Sequence, residues 1–173
     1  MRQHKGFSLL ELLIVVAVIL IIAAIAIPNL MQARMAANEA SAVGSVSAMK
    51  SAEIAYFSTY PTVGYANKIG DLGGVAPCSP SPTSACLIDN FLALSTPGSG
   101  GKSGYVFLAT GIVTGGASNN TAFVLGAVPL VVHQTGNRDF CTTNDGVLRS
   151  KMGTVGDSPV TDLASCDAFP VSQ

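Results

Sequence analysis

The most distinctive pattern in the sequence is an apolar run near its start. From Phe7 to Leu30 the chain has 24 residues and one charged side chain, that of Glu11. As a helix this run is about 36 Å long, which exceeds the roughly 30 Å of a bilayer's hydrocarbon core. The cations Arg2 and Lys5 precede it, and they favour a cytoplasmic N-terminus. The pattern predicts a helix that spans a membrane.

The helical pattern continues beyond the apolar run. Residues 29–60 contain no proline and many alanines, and alanine is the strongest helix former. Apolar residues recur at steps of three and five and predict one buried face: Val43, Val46, Met49, Ile54 and Phe57. Four charged residues are predicted on the polar side: Arg34, Glu39, Lys50 and Glu53. We predict one helix over residues 7–58, apolar to about residue 30. At Pro28 we expect a kink, a local opening or the end of the membrane span.

The rest of the chain predicts a small globular head. Residues 59–104 are rich in proline and glycine and predict an irregular but ordered connection, with a short helix within 87–94. Residues 105–150 carry the signals of about four antiparallel strands, at 105–110, 121–132, 138–142 and 147–149. Residues 151–173 form a tail with little periodicity. The predicted fold class is α+β, a long N-terminal helix packed on a small antiparallel sheet.

Composition and the scarcity of reactive side chains exclude several classes of function. Nine Lys and Arg against ten Asp and Glu leave no positive excess for phosphates, so no nucleic-acid binding is predicted. His133 and His4 are the two histidines, and no Cys-x-x-Cys, paired carboxylates or phosphate-binding loop is present. We therefore predict no catalytic residue, no metal site, no cofactor and no enzyme.

Four cysteines, Cys78, Cys86, Cys141 and Cys166, all lie beyond the apolar run. They would face the non-cytoplasmic side, where disulfides persist. Three pairings are possible in principle. Cys78 and Cys86 are neighbours in the proline-rich connection, so their pairing is the simplest choice.

Three interpretations of the apolar run compete. An ordinary cleaved signal peptide could end at the small residues Ala23 to Ala26, but this run is longer than such a peptide and has an acid near its start. A plain single-pass anchor has no use for Glu11, since a carboxylate within the bilayer costs about 3 kcal/mol. The third interpretation rests on the residues around the start of the run.

The segment Gly6-Phe7-Ser8-Leu9-Leu10-Glu11 resembles the class III signal of type IV pilins and of type II secretion pseudopilins. The resemblance implies that residues 1–6 are a leader, cleaved between Gly6 and Phe7 by prepilin peptidase. It implies N-methylation of the new Phe7 terminus, and it makes Glu11 the fifth residue of the mature chain. Glu11 would then pair with the Phe7 amine, within the chain or between neighbouring subunits. Pilins of the type IVa class commonly carry a proline at the position of Pro28.

The resemblance also implies a domain organisation, a cellular location and a mode of assembly for the whole chain. After the leader come the helix, residues 7–58, and a globular pilin head, residues 59–173, whose tail would be held by a Cys141–Cys166 disulfide. The precursor would sit in the inner membrane with its N-terminus in the cytoplasm. The pilus assembly machinery would then build it into a homo-oligomeric helical filament on the cell surface. Adhesion, twitching motility or DNA uptake would belong to the assembled fibre.

Two other functions remain open on the sequence. A pseudopilin of a type II secretion system shares the same N-terminal signal. A membrane-anchored periplasmic binding protein would need a ligand site, which no motif in the sequence supplies.

Overall fold

The computed structural model describes residues 7–172 of the 173-residue chain. The chain divides into two compact units, Met1–Arg34 and Met35–Gln173. Within the described residues the elements are α1 (Leu9–Thr59), α2 (Ile69–Leu72), α3 (Asn90–Ala93), β1 (Tyr105–Ile112), β2 (Ala122–Pro129), β3 (Arg138–Thr143), β4 (Arg149–Met152) and α4 (Leu163–Asp167).

The four strands form one antiparallel sheet in the order β1-β2-β3-β4. Each strand pairs with its neighbour in sequence, as short connections between antiparallel strands allow. The sheet packs against the second part of α1, where Ala42, Val46 and Met49 join Phe107 and Phe140 in one buried cluster. The predicted α+β class, a long helix on a four-stranded antiparallel sheet, is confirmed.

The buried face of α1 differs from the predicted one. Val46 and Met49 are buried as expected, but Ile54 is 56% exposed. The step of five residues from Met49 to Ile54 turns a helix by about 140° from the buried side. The buried positions instead follow helical spacing and include two acids that were predicted on the polar side, Glu39 and Glu53. On an alanine-rich helix, two overlapping faces can have similar hydrophobicity, so the positions of the apolar residues alone do not show which face is buried.

Glu39 is buried but fully paired. Its Oε1 accepts the backbone N–H of Asn137 at 2.8 Å, and its Oε2 pairs with Nε of Arg138 at 2.8 Å. A buried carboxylate is tolerated when charged and backbone donors satisfy it. Glu39 therefore fastens α1 to the start of β3.

Glu53 is completely buried and only half satisfied. Its Oε2 accepts the N–H of Ala66 at 2.9 Å, while Oε1 makes no hydrogen bond within the described residues. Burial raises the pKa of Glu53 from 4.5 to about 7, against the lowering effect of the Ala66 bond, and nearby Asp71 raises it further. Asp71 is also buried, and burial raises its pKa too.

We expect Glu53→Gln to stabilise the protein above pH 7 by roughly 3 kcal/mol at most, the equivalent of the pKa difference. Between pH 4.5 and 7 the unfolded chain has lost the Glu53 proton and the folded chain keeps it. Folding therefore takes up a proton, and stability falls as pH rises through this window. The glutamine removes that dependence. Thermal unfolding midpoints of both proteins from pH 4 to pH 8 give the measurement.

Some dependence of stability on pH should remain in the Glu53→Gln variant. Asp139 is buried on β3, and burial together with a hydrogen bond to Asp157 raises its pKa to about 7. Glu39→Gln, on the same face of α1, is the matched control, because it should lower stability through loss of the Arg138 pair without flattening the profile. An unchanged pH profile in Glu53→Gln would contradict the prediction.

The C-terminal tail is more ordered than its sequence suggests. It contains α4, which was not predicted, and Asp162 caps this helix by accepting the N–H of Ser165 at 2.8 Å. The tail crosses β2 at Gly126, where a Cβ would lie 2.7 Å from the backbone nitrogen of Val160. Glycine at this strand position therefore admits the tail onto the sheet.

Candidate functional site

The first part of α1 presents an uncovered apolar surface. Its large apolar side chains, from Leu9 to Met31, are between 47% and 80% exposed. By length and composition α1 could cross a membrane, and none of its most apolar stretch is buried within the chain. A continuous apolar surface of this size is typical of contact with lipid or with other protein chains.

The helix begins at Leu9, two residues later than predicted. Ser8 and Glu11 cap its N-terminus there. The Oγ of Ser8 accepts the N–H of Leu10 at 3.3 Å. The Oε2 of Glu11 accepts the N–H of Ser8 at 2.9 Å. This reciprocal arrangement is a capping box, with Ser8 as the N-cap residue and Glu11 three positions on.

Sequence reasoning missed the role of Ser8. The signal was present, since Ser8-Leu9-Leu10-Glu11 has the Ser-x-x-Glu spacing that marks a capping box before an apolar run. The acid was interpreted only through its charge. The structure shows that its carboxylate also has a partner in its own chain.

The other predicted processing residues lie at the edge of the described chain. Phe7 directly precedes the cap, and its side chain is 80% exposed. Gly6 and the rest of the predicted leader, residues 1–6, lie outside the described residues. The expected cleavage between Gly6 and Phe7 therefore stays a prediction, and so does the pairing of Glu11 with an amine.

Pro28 lies inside α1 and does not end it. A proline has no N–H to donate to the carbonyl four residues before it, here that of Ala24. The next residue, Asn29, donates its side-chain amide to the carbonyl of Ile25 at 3.1 Å. The helix continues beyond this point to Thr59.

The structure joins all four cysteines in two disulfides. Cys78 is bonded to Cys86 within the irregular connection, where their Cα atoms are 6.1 Å apart. Cys141 on β3 is bonded to Cys166 on α4, with their Cα atoms 5.8 Å apart. The second bond is buried in a small apolar cluster with Val124 and ties the tail to the sheet.

The side chains that could carry chemistry are dispersed. Within residues 7–172 no three His, Cys, Asp or Glu side chains come together as a metal site would require. The ring of His133 lies at the surface, where Nδ1 is 3.0 Å from Oδ1 of Asn137. The three tail acids Asp157, Asp162 and Asp167 have separate partners: Thr154, Ser165 and Arg149.

Comparison with known proteins points to the same N-terminal segment. A family model for the prokaryotic N-terminal methylation motif matches residues 1–27. The chain is 62% identical over 39 residues to the type IV wide pilus major component PilA4 of Thermus thermophilus. It is 39% identical over 69 residues to the type IV major pilin protein PilA of Myxococcus xanthus. No solved structure gives a significant match.

These alignments are local. They cover 22% and 39% of this chain, and only 30% and 31% of the two relatives. Both relatives are named as pilus components. The N-terminal segment of the chain is therefore similar to that of two type IV pilus components, and it carries the prokaryotic N-terminal methylation motif.

Proposed function

We propose that the protein is the structural subunit of a type IV pilus. The observation that carries this proposal is the uncovered apolar surface of α1, most of which lies within the match to the methylation motif, residues 1–27. The most apolar stretch of α1 has no buried residue in the structure. A membrane can cover it before assembly, and the same helices from many copies can cover one another in a filament core.

The proposed life cycle has a membrane stage and a filament stage. The precursor spans the inner membrane once, with residues 1–6 in the cytoplasm, where prepilin peptidase removes them and the Phe7 amine is methylated. The assembly machinery then transfers the subunit into an extracellular homopolymer. The apolar first part of the helix, to about residue 30, supplies the filament core, and residues 59–173, packed on the second part of the helix, form the head. Adhesion, twitching motility and DNA uptake are candidate uses of such a fibre.

We expect the mature protein to begin at Phe7 and to carry one added methyl group on its N-terminal nitrogen. The basic leader, the small Gly6 and the apolar run from Phe7 form a cleavage site at the cytoplasmic face of the membrane. Mass spectrometry of the N-terminal peptide from membrane and sheared surface fractions measures both changes. An intact Met1, or a terminus after Ala26, would contradict the pilin function.

Electron microscopy of the sheared fraction tests the filament itself. Long surface fibres that contain this chain and are lost on its deletion are the expected result. A correctly processed protein that stays in the membrane, with secretion defects on deletion, would favour a pseudopilin of a type II secretion system. A full-length, unprocessed protein would favour a membrane-anchored periplasmic protein.

A further inference from the structure

Asp139 on β3 is a buried acid whose hydrogen bonds are incomplete. Its side chain is 3% exposed, and its Oδ1 makes no hydrogen bond within residues 7–172. The backbone passes directly over this oxygen at Gly153, where a Cβ would lie 2.8 Å from it. The other oxygen, Oδ2, lies 3.5 Å from Nζ of Lys151, the cross-strand neighbour on β4. An ionised carboxylate is costly here, because one of its oxygens has no donor.

A second carboxyl group, that of Asp157, faces Asp139 from the turn after β4. A hydrogen bond joins the two groups, and it requires a proton because two carboxylates are both acceptors. Asp157 also accepts the N–H of Thr154 at 3.0 Å, the Thr154 hydroxyl at 2.7 Å and Nζ of Lys151 at 3.0 Å. The bonds from Thr154, with that from Asp139, hold the pKa of Asp157 well below its usual range. The shared proton therefore belongs to Asp139.

The turn formed by residues 154–157 is tied to the sheet through Asp157. Within residues 7–172, each hydrogen bond that leaves this turn is made by the Asp157 carboxyl, to Lys151 and to Asp139. The remaining bonds of the turn join Asp157 to Thr154 and stay inside it. If the contact between the two carboxyl groups is lost, Lys151 alone holds the turn.

We propose that Asp139 and Asp157 form a proton-operated latch: the two carboxyl groups share one proton when turn 154–157 is closed on the sheet, and loss of that proton to water releases the turn. With the proton, Asp139 donates to Asp157. Without it, two negative charges face each other with one ammonium group beside them. The latch goes beyond the proposed function and does not depend on it.

The direction of the pH effect follows from the environment of Asp139. In the closed turn, burial and the bond to Asp157 raise the pKa of Asp139 from 3.8 to about 7. When the turn opens, water reaches the carboxyl and Asp157 moves away, so the pKa returns toward 3.8. The closed turn therefore binds the proton more tightly than the open one. Closure is strongest at low pH and weakens as pH rises from 3.8 to about 7.

The other ionisable groups on the elements around Asp139 do not titrate in this window. Glu39 of α1 is paired with Arg138 of β3. Tyr105 of β1 stays neutral, because burial raises the pKa of its hydroxyl. The next cation on β4 is held by two acids of its own: Arg149 by Asp145 and Asp167.

The latch controls the shape of one small surface of the head. Turn 154–157 forms one wall of a cavity of about 200 Å³, and the other wall is the end of β2 with the residues that follow it, among them Leu130 and Val131. Val155, at the tip of the turn, is 90% exposed. Release of the turn would remove one wall of this cavity. In an extracellular fibre, which is the proposed function, this surface would respond to the pH of the medium.

Hydrogen exchange measures closure of the turn on the full mature chain in detergent micelles. Mass spectrometry of a peptide that covers residues 153–157 gives the protection, with labelling times scaled to the intrinsic exchange rate at each pH. We expect protection in the wild type to fall by at least about ten-fold between pH 5 and pH 8. Constant protection over this range would overturn the latch.

Asp139→Asn is the decisive variant, because asparagine is neutral at every pH and its amide can still donate to Asp157. It should keep protection of the turn constant with pH. Glu53→Gln is the matched control: it removes the other buried acid with a pKa of about 7, and it should leave the pH dependence of the turn unchanged. The latch is wrong if the dependence survives in Asp139→Asn or disappears in Glu53→Gln.

Two further measurements do not rely on the fold of the asparagine variant. The carboxyl carbon of Asp139, followed by NMR in the wild type, should titrate near pH 7, and a midpoint near pH 4 would overturn the latch. Lys151 lowers the pKa of Asp139, so Lys151→Gln should move the loss of protection to higher pH. A lysine with a merely structural role would lower protection at every pH without moving the midpoint, and that result would also contradict the latch.

Discussion

Replacing Glu11 by alanine should abolish filament formation while leaving membrane insertion intact. Insertion should be unharmed because alanine makes the apolar run more hydrophobic. In the proposed filament core the dielectric is low, so loss of one member of the proposed Glu11–Phe7 amine pair would leave an uncompensated charge. Such a loss costs about 3–5 kcal/mol, which is more than roughly a hundred-fold in an equilibrium constant. Filament mass per amount of processed subunit is the measurement.

Leu12→Ala is the matched control for this experiment. Leu12 is 58% exposed on the same turn of α1, and its replacement shortens a side chain without changing charge. It should keep filament formation with a modest loss of yield. Cleavage after Gly6 should persist in both variants. Normal assembly of Glu11→Ala at wild-type yield would contradict a pairing role for the acid and leave it only its role as a cap.

Loss of the Cys141–Cys166 disulfide should destabilise the head by about 3 kcal/mol. The bond closes a loop of 25 residues, and the chain-entropy model assigns about this free energy to such a loop. The tail would also lose its covalent tie to the sheet, so α4 and the segment over Gly126 should open first. Thermal unfolding of the Cys141→Ser, Cys166→Ser double variant measures the loss of stability.

The double variant of Cys78 and Cys86 is the control. Those cysteines are separated by eight residues, so the entropic effect is smaller by roughly 1 kcal/mol on the same model. Peptide mapping without reduction should show no free thiol in the wild type and the two pairs seen in the structure. Tail proteolysis at the same rate in wild type and in the Cys141, Cys166 variant would contradict the tethering role.

The contacts around the acids show how burial decides the meaning of a charged residue. In the sequence, Glu11, Glu39 and Glu53 look alike, because each is an isolated glutamate on the same long helix. Glu39 is satisfied by Arg138 and a backbone N–H, Glu53 is buried with one oxygen unpaired, and Glu11 caps the helix start. The partners of Glu39 lie about a hundred residues away along the chain, so local sequence gives no sign of them.

The sequence by itself determined the fold class of the protein and most of its local structure. The apolar run, the glycine and acid at its start, and the change of period after residue 104 depend on residues close together in the chain. Membrane insertion, strand formation and peptidase recognition are governed by such local patterns. The Ser8–Glu11 cap also lay within reach of the sequence, because its signal spans only four residues.

Only the tertiary structure decided which face of α1 is buried, where the tail lies and which acids have shifted pKa values. Alanine-rich helices allow several faces of similar hydrophobicity, and the sheet selects one of them by packing. The tail shows little periodicity, yet α4 and its disulfide place it over β3, while glycine at position 126 leaves room for it to cross β2. These outcomes depend on contacts between distant residues, whose free energies become defined only when the chain folds.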